Sequence, residues 1–228
     1  KVCGWRMLKS HTCFIAIFKK IMSITYLIIA VTTFISIACL NNRALFLKLM
    51  HWPYVEARQG EYHRWLSSGF LHADYGHLIF NMLTLFFFGP LVEGWFLEQF
   101  PSFGRSIYLF FYFLSIVMVS SGTYNQHKNN QGYSAIGASG ATSAVLFACI
   151  MLDPTIGIGL FFIPIPIPGF IFGILYIWYS SYMDRHGQDN IGHSAHLFGA
   201  VFGFFFPLFF DPSLILAFFE KIRQWSVF

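Results

Sequence analysis

The sequence predicts an all-α membrane protein, a bundle of six spanning helices, on three observations. Only 11% of its 228 residues are charged and 56% are hydrophobic, whereas a soluble domain carries about a quarter charged residues to hydrate its surface. Thirty phenylalanines exceed what one soluble core of this size can hide, while acyl chains accept them without penalty. Apolar stretches of helical length recur along the chain, each closed by polar residues, Gly or Pro.

The first span covers residues 21–40 and ends at Asn41-Asn42-Arg43. Its end has no small-residue cleavage pattern, so it is expected to be an anchor and not a removed signal peptide. Residues 1–20 are basic and poorly patterned, and Met22-Ser23 would make a natural start. They are expected to lie outside the fold, with 21–228 forming one membrane domain. Residues 41–76 hold Arg43, Lys48, Glu56, Arg58, Glu61 and Arg64 among Trp and Tyr, the composition of an ordered loop with short helices at the bilayer surface. The second span, 76–96, is interrupted by Gly89-Pro90 and closed by Glu93. The third covers 107–121, followed by a polar loop over 122–131. The fourth, 137–152, is rich in Gly, Ala and Ser and stops at Asp153-Pro154. Pro164, Pro166 and Pro168 alternate with Ile, which predicts a broken or late-starting fifth span over 169–182. A loop over 183–191 precedes the sixth span, 193–210.

The net charge of +4 comes from scattered residues, not from a basic patch interleaved with aromatics, so nucleic acid is not an expected partner. Cys3, Cys13, Cys39 and Cys149 have no CxxC spacing and are expected to be small apolar residues, neither a disulfide framework nor metal ligands. Counting Lys and Arg on alternate loops leaves the orientation open once residues before Met22 are set aside.

Polar side chains inside spans are costly and functional by default. His77 and Asn81, four apart, share one face of the second span. Ser139 opens the fourth within Gly137-Ala138-Ser139-Gly140, and His196 stands near the start of the sixth. Glycines beside Ser139 let backbone N–H groups approach a reacting carbonyl at a helix N-terminus, where unpaired donors collect. Gly199 and Gly203 follow His196 at i+3 and i+7, the small-xxx-small spacing of close helix contact in lipid, and would bring His196 toward Ser139. A serine hydroxyl needs a base to take its proton, and a neutral imidazole is the usual one. Ser139 as nucleophile, His196 as base, and an oxyanion hole from His77, Asn81 and the Ser139 N–H form the expected site. A metal site from His193 and His196 with His72 and His77 is disfavoured, because no carboxylate stands on the same faces. His72 and His193 are expected at the interface, reaching for water. Arg64 is expected to tie down the first loop, and Glu93 to cap or pair with a helix end.

Four motifs in order resemble the rhomboid intramembrane serine proteases over about residues 61–211. They are His63-Arg64-Trp65, a reordered form of a Trp-Arg signature; His77-x-x-x-Asn81; Gly137-x-Ser139-Gly140; and Ala195-His196-x-x-Gly199-x-x-x-Gly203. The resemblance implies a six-helix rhomboid bundle with a membrane-embedded loop after the first helix. Its implied site has Ser139 and His196 as a dyad without an aspartate, and His77 and Asn81 as oxyanion stabilisers. Transmembrane proteins are the implied substrates and no cofactor is implied. The N-terminus would lie in the cytoplasm, and the compact six-helix core is of the bacterial, inner-membrane kind. One departure concerns the fourth position after the nucleophile, where some members carry an aromatic that stacks on the histidine. Here it is Ser143, so the imidazole must be held otherwise. A catalytically silent rhomboid-like protein that binds membrane clients is the alternative; such proteins lack the serine or the histidine, and both are present here. A channel or transporter would show inverted repeats and broken helices in both halves.

Overall fold

The computed structural model of the protein describes residues 23–160, 163–186 and 192–225. The expectation that residues 1–20 stand outside the fold therefore concerns residues beyond those described. α1 (Ile24–Leu40) begins at Ser23, and its free N-terminal donors are met by another helix. The Glu93 carboxylate accepts from Ile24 N at 2.9 Å, Thr25 N at 3.0 Å, Ser23 Oγ at 2.6 Å and Thr25 Oγ1 at 2.8 Å. An anion at a helix N-terminus answers both the orphan N–H groups and the helix dipole.

The first loop is ordered, as its composition predicts. α2 (Arg43–Leu49) starts under an Asn42 cap, and α3 (Pro53–Gln59) starts on proline and ends at Gly60 with φ +70°. α4 (Arg64–Ser67) runs into a 3₁₀ turn over Ser68–Phe70. Arg64 ties the loop down, donating to the carbonyls of Leu47 at 2.7 Å and Met50 at 3.0 Å and pairing with Glu61. Beneath it the buried Glu56 accepts from His51 Nδ1 at 2.8 Å, Trp52 N at 2.8 Å and Trp65 Nε1 at 2.9 Å.

α5 (Tyr75–Gln99) runs unbroken through Pro90. The interruption expected at Gly89-Pro90 is absent: proline removes one helical hydrogen bond, but lipid offers the backbone no other partner. α6 covers Gly104–His127 and α7 covers Ser139–Leu152. α5 and α6 are both long and apolar enough to cross a membrane; α1 and α7 are shorter apolar helices. α7 is the centre of the bundle, with every residue from Gly140 to Met151 buried.

The proline run forms no broken helix. β1 (Gly157–Leu160) pairs with β2 (Ile163–Pro168) as an antiparallel hairpin, Ile158 opposite Ile167. Proline at every second position of β2 falls where an N–H would face away from the single partner strand, so none is missed. α8 (Gly169–His186) follows directly, the late start that was the other alternative for the fifth span. α9 (His193–Phe205) passes through a 3₁₀ turn, Phe206–Phe209, before α10 (Leu214–Gln224), bent from it by 111°. Lys221 of α10 donates to the Leu152 carbonyl at the end of α7 at 2.8 Å, a cation at a helix C-terminus. Cys39 and Cys149 are free and buried in apolar clusters.

Candidate active site

Packing between α7 and α9 builds the site. A Cβ added at Gly199 would fall 2.0 Å from the Gly140 carbonyl oxygen, and one at Gly203 2.0 Å from that of Ala144. No side chain larger than hydrogen fits at either contact, so the small-xxx-small spacing has the meaning expected of it. Gly140 follows Ser139 by one residue and Gly199 follows His196 by three. The contact therefore brings the first turns of both helices to one cavity of about 1060 Å³, lined by His77, Asn81, Gly137, Ser139, Gly140 and His196 among others.

Ser139 is the first residue of α7, and the segment before it is held by the first loop. His51 and Ala135 exchange backbone hydrogen bonds of 3.0 and 2.9 Å, and Gly137 N donates to the Ser68 carbonyl at 3.0 Å. Gly137 has φ +116°, and a Cβ there would lie 2.7 Å from His77 Cε1. Glycine is thus required twice, for the backbone conformation and for the imidazole against it.

His77 stands in the first turn of α5, where Asp74 caps the helix by accepting from His77 N at 2.8 Å. Its Nδ1 accepts from Ala73 N at 3.5 Å, a long bond that favours the tautomer with Nε2–H as donor on the Gly137 side. One turn on, Asn81 Nδ2 donates to the His77 carbonyl at 2.9 Å. Asn81 Oδ1 accepts from Thr142 Oγ1, also at 2.9 Å. With its oxygen engaged, the amide has its remaining N–H free to donate. The one Thr142 hydroxyl proton is shared with the Ser139 carbonyl at 3.0 Å, joining the expected oxyanion donors to the helix that carries the expected nucleophile. Only its i+3 spacing from Ser139 could have marked it beforehand.

His72 and His193 are buried inside the protein, not at the interface as expected. His72 lies under the site: Ala138 N donates to its Nε2 at 3.4 Å, and its Nδ1–H donates to Ser36 Oγ at 2.7 Å. Ser36 passes the chain on to the Phe70 carbonyl at 2.9 Å. Burial, reinforced by His77 and opposed by Asp74, pushes the His72 pKa down to about 3, so this ring is neutral. His193 packs edge-on to His196, with ring centroids 6.0 Å apart. Interfacial placement failed for both because each belongs to a tertiary contact that linear periodicity does not carry.

Comparison with known proteins gives a consistent result. Residues 59–212, more than half of the chain, match the sequence model of the Rhomboid domain. The chain is 31% identical over 152 residues to "RHOMBOID-like protein 12, mitochondrial" of Arabidopsis thaliana, a match covering 63% of this chain and 45% of that protein. It is 29% identical over 149 residues to "Putative rhomboid protease YdcA" of Bacillus subtilis (strain 168), covering 64% of this chain and 65% of the relative.

Proposed function

The chain belongs to the rhomboid family, and from that membership we propose that it is an intramembrane serine endopeptidase, cutting peptide bonds in or near transmembrane segments of other membrane proteins. The observation that carries this reading is the placement of Ser139 and His196 at one cavity, across a helix contact that only glycine permits.

In this reading the neutral His196 imidazole takes the Ser139 Oγ proton as that oxygen bonds to the scissile carbonyl carbon, and the carbonyl electron pair moves onto its oxygen. His77 Nε2–H, the Asn81 amide and the Ser139 N–H would hold that oxyanion, each donor worth about 2.7–4 kcal/mol in comparable sites. As the C–N bond breaks, the imidazolium returns its proton to the leaving amine, and an ester remains on Ser139. Water, deprotonated by the same imidazole, hydrolyses the ester and restores the serine. These steps use no metal or organic cofactor.

A 14-residue α7 rises about 21 Å, less than the roughly 30 Å hydrocarbon core. Its N-terminus then starts below one face of the bilayer, and the cavity above it is the route for water. We read α1, α5, α6, α7, α8 and α9 as the six spans, with the first loop partly embedded, the N-terminus in the cytoplasm and the location a bacterial inner membrane. The mitochondrial name of the Arabidopsis relative favours the corresponding organellar membrane as the second location. That relative's name states no protease activity, and binding of membrane clients without cleavage is the second function.

Cleavage of a single-span reporter in liposomes, with fluorophosphonate labelling, separates the two. Wild type is expected to cleave and to label, and Ser139→Ala to do neither. Absence of both in wild type would replace the protease with the client binder.

A further inference from the structure

The imidazole of His196 has a wall, and the wall comes from α8. The Tyr176 ring lies against it, centroids 6.1 Å apart and planes 28° from parallel. The Tyr176 hydroxyl is 2.5 Å from Ser143 Oγ, one turn beyond Ser139 on α7. Phe147 of α7, with ring centroid 5.4 Å away, and Phe172, one turn earlier on α8 at 5.8 Å, pack on the same tyrosine. Ser143 is buried and Tyr176 half-buried, and both line the cavity with His196. An aromatic residue at 143 would fill the space that Tyr176 occupies; a serine leaves the space open and supplies a polar atom for the hydroxyl.

We propose that Tyr176 is the positioning residue for His196, so that α8 packed against α7 is what sets the plane of the imidazole. The proposal rests on the reading of Ser139 and His196 as the reacting pair. A histidine side chain turns about two bonds, so its ring plane must be held by what packs on it. A ring on one face restricts that rotation through offset stacking, and the Ser143 bond fixes the ring in turn. Because the wall belongs to a different helix, any displacement of α8 from α7 draws it away from the base. Alignment of the pair is thereby tied to the position of α8.

The test uses the full chain in liposomes and compares wild type with Tyr176→Phe, Tyr176→Leu and Tyr176→Ala. Two quantities are read: the rate of Ser139 labelling by a small fluorophosphonate, which needs no substrate passage between helices, and kcat with KM for reporter cleavage. Thermal unfolding identifies the folded variants. Tyr176→Phe keeps the ring and is expected to label within about threefold of wild type. Leu, apolar but neither planar nor as large, and Ala are expected to label at least about tenfold more slowly, since small misplacements of a base are costly in rate. The loss in cleavage should fall on kcat, with KM within about twofold. Folded Leu or Ala variants that label at the wild-type rate would overturn the proposal. So would a Phe variant as slow as Leu, which would assign the effect to the hydroxyl. If wild type itself fails to label, the reacting pair is wrong and the proposal falls with it.

Discussion

His72 joins three parts of the chain through one ring: Ser36 of α1 on Nδ1, Ala138 next to Ser139 on Nε2, and His77 edge-on at 4.9 Å. Such a ring must stay neutral, since protonation at Nε2 would set two donors against each other. The folded pKa of about 3 lies below the unfolded value of about 6.5, so between those pH values the unfolded chain binds the extra proton. Stability from this group is therefore complete above about pH 6.5 and declines as pH falls toward 3, by about 1.4 kcal/mol per pH unit. Thermal unfolding in micelles at pH 7 down to pH 4 should show this decline in wild type and a shallower one, by about one proton, in His72→Gln. Glutamine can accept from Ala138 N and donate to Ser36, so it keeps both bonds without titrating. Parallel slopes for the two proteins would remove His72 as the titrating group.

At the scale of elements, the α7–α9 contact is the most constrained feature of the fold. The Gly140 and Ala144 carbonyl oxygens that a Cβ at 199 or 203 would strike are backbone atoms of a central helix, with no rotamer to yield. Gly199→Ala is expected to push the helices apart by about 1 Å and to lower kcat/KM by about 100-fold; Gly199→Val should abolish cleavage, with membrane insertion intact for both. Gly94, whose added Cβ would meet nothing within 4 Å, is the internal control. Gly94→Ala should keep full activity and gain about 0.5–1 kcal/mol of stability, and a Gly199→Ala enzyme as active as that control would refute the close packing. This contact was legible in the sequence because its signal is local: glycines four apart on one helix, small residues on the other. Residues 122–127, expected in a loop for their polarity, continue the helix Gly104–His127, while the helices over Tyr75–Gln99 and Ser139–Leu152 were legible for the same reason, as apolar runs with polar ends. The hairpin was not, since alternating Ile and Pro satisfies a strand edge as well as it breaks a helix. The Tyr176 ring on His196 and the Thr142 hydroxyl on Asn81 were not legible either, because both join residues far apart in the chain. α10 has a legible signal of its own, Leu214, Ile215, Phe218 and Ile222 at helical spacing.

The whole molecule turns its apolar bulk outward. Phe34, Phe80, Phe87, Phe110, Trp178 and Phe209 are exposed on its helices, while Thr25, Thr32, Ser36, Ser115, Thr123 and Ser143 are buried between them. Lipid removes the penalty for exposed phenylalanine, and small polar residues let helices approach. The same solvent argument makes the proposed topology measurable. α6, with 24 residues, rises about 36 Å and clears a hydrocarbon core of about 30 Å, so the turn before it and the loop after it must lie on opposite faces. Single cysteines at Ser102, Asn130 and Ser213, in a background with the four native cysteines replaced, can be probed with a membrane-impermeant maleimide in oriented vesicles. Six spans with a cytoplasmic N-terminus place Ser102→Cys and Ser213→Cys on the cytoplasmic face and Asn130→Cys on the other, beside the cavity mouth. Between Asn130 and Ser213 lie α7, α8 and α9, three crossings when each of them, the short α7 and α9 included, is a span. Modification of Asn130→Cys and Ser213→Cys from the same face would make one of the three re-entrant and end the six-span topology.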